Sequence, residues 1–197
     1  MTPRAFPSPL RLNLGCGRNI IPGWVNVDWM ALPGVDVVAN LNDCATTPLP
    51  FADDSVDELA LSHVIEHLPN ALPLMQELHR IAKPGAKAII RTPYGSSDDA
   101  WEDPTHVRPY FHGSFGYFSQ PYYWRADYGY RGDWQPQTVT LRVPARYAGN
   151  DRAAFLERLR TDRNLVLEMV AELVAVKPAR EPRRELQAAA ALNIELV

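Results

Sequence analysis

The chain has 197 residues, 46% hydrophobic and 22% charged, with a formal net charge of −3. That length suits a single domain, residues 1–197, with a real core, and the composition is ordinary for a globular protein. The balance of charge offers no basic field to nucleic acid or to an anionic membrane, and no apolar run approaches the ~20 residues that span a bilayer. Met1 to Pro9 has no apolar stretch of the kind a secretory signal needs. Two cysteines, Cys16 and Cys44, are too few for a disulfide framework and fit no zinc spacing, so a reducing cytoplasm is the expected compartment.

Residues 1–9 hold three prolines and read as an irregular arm. Leu10 to Leu14 alternates apolar and polar residues and runs into Gly15-Cys16-Gly17, a strand ending in a glycine turn. Trp24 to Asp28 predicts a second strand and Val35 to Leu41 a third. Val56 to Ser62 predicts a fourth, with an apolar run suited to a central parallel strand. A helix is predicted from about Pro73, with Leu74, Leu78, Ile81 and Ala82 at helical spacing, stopped by Lys83-Pro84-Gly85. Ala86 to Thr92 is the fifth strand. Between Trp101 and Trp134 lie 12 of the chain's 19 aromatic residues, with no steady period; this reads as a long, partly ordered excursion. Gln137 to Val143 is a sixth strand. Asn150 is a candidate cap for a helix from Asp151 to about Asp162, and Met169 to Lys177 fits a final strand or a continuing helix. Strands with a helix before the fifth indicate a mainly parallel α/β sheet.

Ligands in such sheets sit beyond the carboxyl ends of the strands, where strand order reverses. There the chain places Gly15-Cys16-Gly17, whose small residues admit a ligand close to backbone N–H groups. It places Asp28, able to accept both hydrogen bonds of a ribose diol. Asn42 and Asp43 follow the third strand, where an acid can accept from an adenine amino group, and Ser62-His63 end the fourth. Each piece alone is usually a turn or a solvated cap; their order together points to a nucleoside site.

Leu12-Asn13-Leu14-Gly15-Cys16-Gly17 with Gly23 to Asp28 resembles the opening of the class I methyltransferases. Leu49 to Asp57 and Ser62-His63-Val64-Ile65-Glu66-His67-Leu68 resemble their middle, and Arg80 to Gly85 with Ile89 to Pro93 the helix and strand that follow. Asp103-Pro104-Thr105-His106-Val107 is similar to the small bacterial type 11 branch. The resemblance implies a Rossmann-like, mainly parallel seven-stranded sheet with helices on both faces, the last strand antiparallel, and S-adenosylmethionine as cofactor. It implies a cofactor half at 10–93, an aromatic-rich lid or acceptor region at 94–135 after the fifth strand, and C-terminal strands and helix at 136–197. Asn13, Gly15, Cys16, Gly17, Asp28, Asn42, Asp43, Ser62 and His63 are then the expected cofactor residues, with Ser62 and His63 near the sulfonium end.

Three features depart from the family. Asn13 stands where an acid is frequent, and Asn19 where a third glycine is frequent. Only Gly15 to Gly23 separates the first two strands, whereas a parallel crossover usually takes about a dozen residues; either the first helix is reduced to a turn or the strand borders differ. An acceptor hydroxyl or ammonium needs to lose a proton, and histidine is the usual base. His106 is the first candidate, His63 the second, with Asp103 orienting a histidine or acting itself; His67 and His112 rank lower. His63-Val64-Ile65-Glu66-His67 matches the inverted zinc-peptidase pattern, but no third ligand has suitable spacing, so no metal is expected. The aromatic stretch reads as a lid that also walls an acceptor pocket, with Arg108, Arg125 and Arg131 meeting an anionic group or pairing with Asp103, Asp127 and Asp133. The acceptor is expected to be a small or sugar-linked molecule methylated on O or N, with no nucleic acid or membrane partner, and a homodimer is compatible with the aromatic surface. The competing class is a non-catalytic binding protein on the same fold. A nicotinamide dehydrogenase fits poorly, because its third glycine would fall at Ile20.

Overall fold

A computed structural model describes residues 6, 8–147, 149 and 151–197. One eight-stranded sheet runs β3-β2-β1-β4-β5-β7-β6-β8. Its strands are β1 (Arg11–Leu14), β2 (Val25–Asp28), β3 (Val37–Val38), β4 (Val56–Ser62), β5 (Ala82–Pro93), β6 (Trp134–Val143), β7 (Glu168–Ala175) and β8 (Ala191–Leu196). The first five pair in parallel, β7 runs antiparallel to both β5 and β6, and β8 is parallel to β6. The reversed strand is thus the expected one. The sheet has eight strands rather than seven because the tail adds β8 along the β6 edge. Met169 to Lys177 resolves as strand, not helix.

The main helix, α1 (Ala71–Ile81), starts two residues before Pro73 because Asn70 caps it, accepting from the Leu72 N–H. Leu74, Met75, Leu78 and Ile81 are buried against the sheet, as their spacing predicts. Lys83-Pro84-Gly85 does not form a separate stop; helix gives way directly to β5 at Ala82. Two shorter helices follow, α2 (Asp99–Glu102) and α3 (Arg152–Arg158). Asp151 caps α3 by accepting from Ala154 N–H; the predicted cap, Asn150, lies outside the described residues. Among the described residues no helix is long and apolar enough to cross a membrane.

No helix joins β1 to β2, so of the two readings of that short crossover the reduced one holds. A loop has no internal ladder to satisfy its backbone groups, and these need partners when buried. Two buried amides supply them. Asn26 Oδ1 accepts from Ile21 N–H at 2.9 Å, and Asn26 Nδ2 donates to Trp24 O at 3.2 Å. Asn13 Nδ2 donates to Asn19 O at 2.8 Å and to Asn26 Oδ1 at 2.9 Å. The third strand shrinks from the predicted seven residues to two at the sheet edge, where Val38 is exposed.

Candidate functional site

A cavity of about 440 Å³ lies over the carboxyl ends of β1 to β4. Gly15 reaches it from β1, Asp28 and Trp29 from β2, Asn40 and Asn42 from the chain after β3, and His63 and Val64 from the end of β4. Gly15 has φ +64°, and a Cβ there would sit 2.5 Å from a Val64 methyl, so only glycine fits this floor. Asp28 is buried; its Oδ2 accepts from Gly17 N–H at 2.7 Å and its Oδ1 from Met30 N–H at 3.0 Å. Those bonds fix the carboxylate and leave about half of its acceptor sites for a ligand.

Of the expected cofactor residues, Gly15, Asp28, Asn42 and His63 line this cavity, and Gly17 acts on it through Asp28. Asn13, Cys16, Asp43 and Ser62 are not among its lining residues. Asn13 is committed to the β1–β2 loop. Cys16 is buried, and burial followed by the nearby Asp28 charge raises its thiol above the usual value. Trp29, 69% exposed at the cavity lip, and Thr105 were not among the expected residues. Trp29 carried a signal in standing directly after the acid, and Thr105 in the Asp103-Pro104-Thr105-His106 motif.

The histidines gather beside this cavity. His63 has φ +54°, and its ring lies 3.3 Å from Glu66 Oε1 and 3.2 Å from Glu168 Oε2. The bond with Glu66 raises its pKa, burial opposes this, and the Glu66 and Glu168 charges add to the rise. The fold also brings His106 to His67, with ring centroids 4.7 Å apart. Glu66, His67 and His106 each offer a ligand atom within 4.8 Å of the others. His106 comes to this group from a distant segment, held there because Val107 N–H and Arg108 N–H both donate to Glu66 O, at 2.9 and 3.2 Å. Asp103 Oδ2 faces His106 Nε2 at 3.9 Å, in the orienting position considered for it. His112 lies apart, with Nδ1 3.0 Å from the Tyr94 hydroxyl.

A second cavity, about 500 Å³, is walled by Tyr110, Phe111, Tyr117, Phe118, Tyr123 and Tyr128, with Arg108 and Asn70 at its edge. Three other aromatic residues of the stretch serve elsewhere. Phe115 is fully buried in the core, Tyr122 lines a smaller cleft, and Trp124 lies under the Arg125 guanidinium at 4.5 Å. Arg131 pairs with Asp127 at 2.8 Å. Asp133, fully buried, takes Arg180 instead, at 2.7 Å. Among the described residues Arg108 has no carboxylate partner, and it lies 5.9 Å from the Tyr110 ring. The two cavities are neighbours: His67, Leu68 and Thr105 line the first, Asn70, Ala71 and Arg108 the second.

The mainly parallel sheet carries one reversed strand, β7, between β5 and β6, and places Gly15, Asp28, Asn42 and His63 together at the carboxyl ends of its strands. Residues 12–90, less than half of the chain, match the methyltransferase domain of the type 11 family. Among curated proteins, an uncharacterized methyltransferase of Mycobacterium sp. (strain KMS) is 38% identical over 58 residues, 29% of this chain and 23% of that protein. Another from Mycobacterium avium is 48% identical over 42 residues, 21% of this chain and 17% of that protein. The chain thus matches less than a quarter of the length of these relatives. Among solved structures, a SAM-dependent methyltransferase from Archaeoglobus fulgidus shares the fold with a TM-score of 0.60 at 16% identity, over 86% of this chain and 87% of that one. One from Aquifex aeolicus does so with a TM-score of 0.52 at 16% identity, over 85% and 82%.

Proposed function

We propose that the chain transfers a methyl group from S-adenosylmethionine to an oxygen or nitrogen atom of a small or sugar-linked acceptor. The observation that carries this reading is the adjacency of the two cavities, one with the donor set for a nucleoside and one with aromatic walls. When bound, S-adenosylmethionine supplies an electrophilic methyl group on a sulfonium.

The residues present fit that cofactor. The free lone pairs of Asp28 would take the ribose hydroxyls, Asn42 the adenine edge, and Trp29 would cover the purine. Gly15 leaves room for the methionine part, and Val64 and His63 stand at the reacting end. No acid on β1 meets the methionine ammonium, since Asn13 is turned to the loop. Positioning is the main task of these groups: in-line contact at near-attack distance, with water kept out. His63 stands between Glu66 and Glu168, which raise its pKa. The groups nearest both cavities that can take or displace the acceptor's proton are Glu66, His67 and His106. Arg108 without a carboxylate and a ring of tyrosines suit an acceptor with a flat or apolar body and an anionic substituent.

Calorimetric titration with S-adenosylmethionine and S-adenosylhomocysteine tests this, with Asp28→Asn beside the natural chain. Saturable binding that weakens about tenfold or more in the variant, ~1.4 kcal/mol, is the expected result and leads to an acceptor screen by release of S-adenosylhomocysteine. A folded protein that binds neither ligand defeats the proposal and favours a non-catalytic role.

A further inference from the structure

Glu66, His67 and His106 share a feature that ordinary structural hydrogen bonding does not explain. Each is held by a neighbour, and each offers an atom that can ligate a metal. Glu66 is 2% exposed; its Oε2 accepts from Thr92 Oγ1 at 3.1 Å, while Oε1 faces the His63 ring at 3.3 Å. His67 Nδ1 lies 3.2 Å from Thr105 O, a carbonyl that can only accept, so Nδ1 carries the proton and Nε2 keeps its lone pair. Thr105 is held in turn, its Oγ1 donating to Asp103 Oδ1 at 2.6 Å. The His106 side chain is 8% exposed, with Nε2 toward Asp103 and Nδ1 buried without any partner. One ligand atom from a carboxylate and one from each of two imidazoles thus lie within 4.8 Å of one another, with the Thr105 carbonyl 3.2 Å behind the His67 ring and the Asp103 carboxylate 3.9 Å from the His106 ring. That is how proteins fix the tautomer of metal-ligating histidines.

From this convergence we infer that Glu66, His67 and His106 bind a divalent transition-metal ion. Two imidazoles and a carboxylate suit zinc, iron, cobalt or manganese better than magnesium, which prefers an all-oxygen shell. Metal–ligand distances of about 2.0–2.2 Å draw the ligand atoms roughly 3–4 Å apart, a small rotation of side chains from their present places. Three protein ligands leave coordination positions open, and His67 of the cluster lines the cofactor cavity. An ion there would hold the oxygen of a hydroxyl-bearing acceptor and lower its pKa, so that the proton leaves to water as the oxygen becomes nucleophilic. The use of the ion in methyl transfer rests on the proposed function; its binding does not. His106 is on this reading a ligand rather than a base.

Chelator-stripped full-length protein is titrated with Co²⁺, without S-adenosylmethionine, by calorimetry and visible absorption, and then with Zn²⁺ in competition. One Co²⁺ per chain, with ligand-field bands that Zn²⁺ abolishes, is expected. His106→Ala and His67→Ala should each weaken binding at least tenfold, while His112→Ala, outside the cluster, should not. Glu66→Gln keeps the shape and the Thr92 contact and should also bind at least tenfold more weakly; it serves where an alanine variant fails to show a native circular-dichroism spectrum and melt. Folded natural protein that takes up no Co²⁺, or folded cluster variants that bind as tightly as it does, would overturn the assignment. Because no methyl donor is present, this outcome is separate from failure of the cofactor site.

Discussion

Asn13 stands where an acid is frequent in the family the chain resembles, and its surroundings explain the amide. Both neighbours of its Nδ2, Asn19 O and Asn26 Oδ1, are acceptors, at 2.8 and 2.9 Å. An amide donates to both; a carboxylate can donate to neither. Its side chain is buried at 4% exposure, so a charge here would face two oxygens out of reach of water. Asn13→Asp, which brings the chain closer to the family it resembles, is therefore expected to destabilise it by about 3 kcal/mol, through two broken hydrogen bonds and a poorly solvated acid. Urea unfolding of the two proteins measures this. Equal stability would mean that the loop between the first two strands does not depend on the amide pair.

At the scale of elements, α1 is tied to the far side of the sheet by His79. Its Nε2–H donates to Val176 O, one residue beyond β7, at 3.0 Å, and its ring meets Trp134 edge-on at 5.9 Å. Burial lowers the His79 pKa, and the bond to the carbonyl only partly opposes this. The folded value then lies below the unfolded value of about 6.5. The unfolded chain takes up the proton first, so this contribution is complete above about pH 6.5 and is lost as pH falls through the folded value. Stability measured by denaturant should decline from pH 7 toward pH 5, and His79→Gln, which keeps a donor but cannot titrate, should flatten that slope. An unchanged slope would assign the acid sensitivity elsewhere.

Elements with strong local periodicity were readable in advance. The α1 face of Leu74, Leu78 and Ile81, and the apolar run of β4, report burial directly. The third strand was not, because its apolar residues do not reveal that the sheet ends beside it. Asp28 and Gly15 could be placed in the site from their positions at strand ends. The Glu66–His67–His106 cluster could not, since it depends on backbone bonds from 107 and 108 to Glu66 across some 40 residues. Sequence spacing along one segment has no access to such a partner.

At the scale of the molecule, the aromatic stretch and the tail complete the sheet together. Trp134 Nε1 donates to Met75 O at 2.9 Å, and Tyr130 is buried beneath Phe118 O at 2.9 Å. Arg180 then clamps the stretch to the tail: it reaches the buried Asp133 carboxylate at 2.7 Å and Ser119 Oγ at 3.0 Å. Beyond it, β8 pairs along Thr138–Val143. Its alternation of Leu192, Ile194 and Leu196 was visible in the sequence, but the preceding alanines obscured a strand signal. The role of β8 is to cover an edge. Without it, β6 presents a free row of N–H and C=O groups beside Val139 and Leu141, a template for pairing with another chain. A chain ended after Gln187 keeps Arg180 and its clamp, so it should still fold. Its apparent mass in size-exclusion chromatography with light scattering should rise with concentration more steeply than that of the full chain. If the two behave alike, the β6 edge is protected by its own twist or its neighbours, and β8 contributes packing alone.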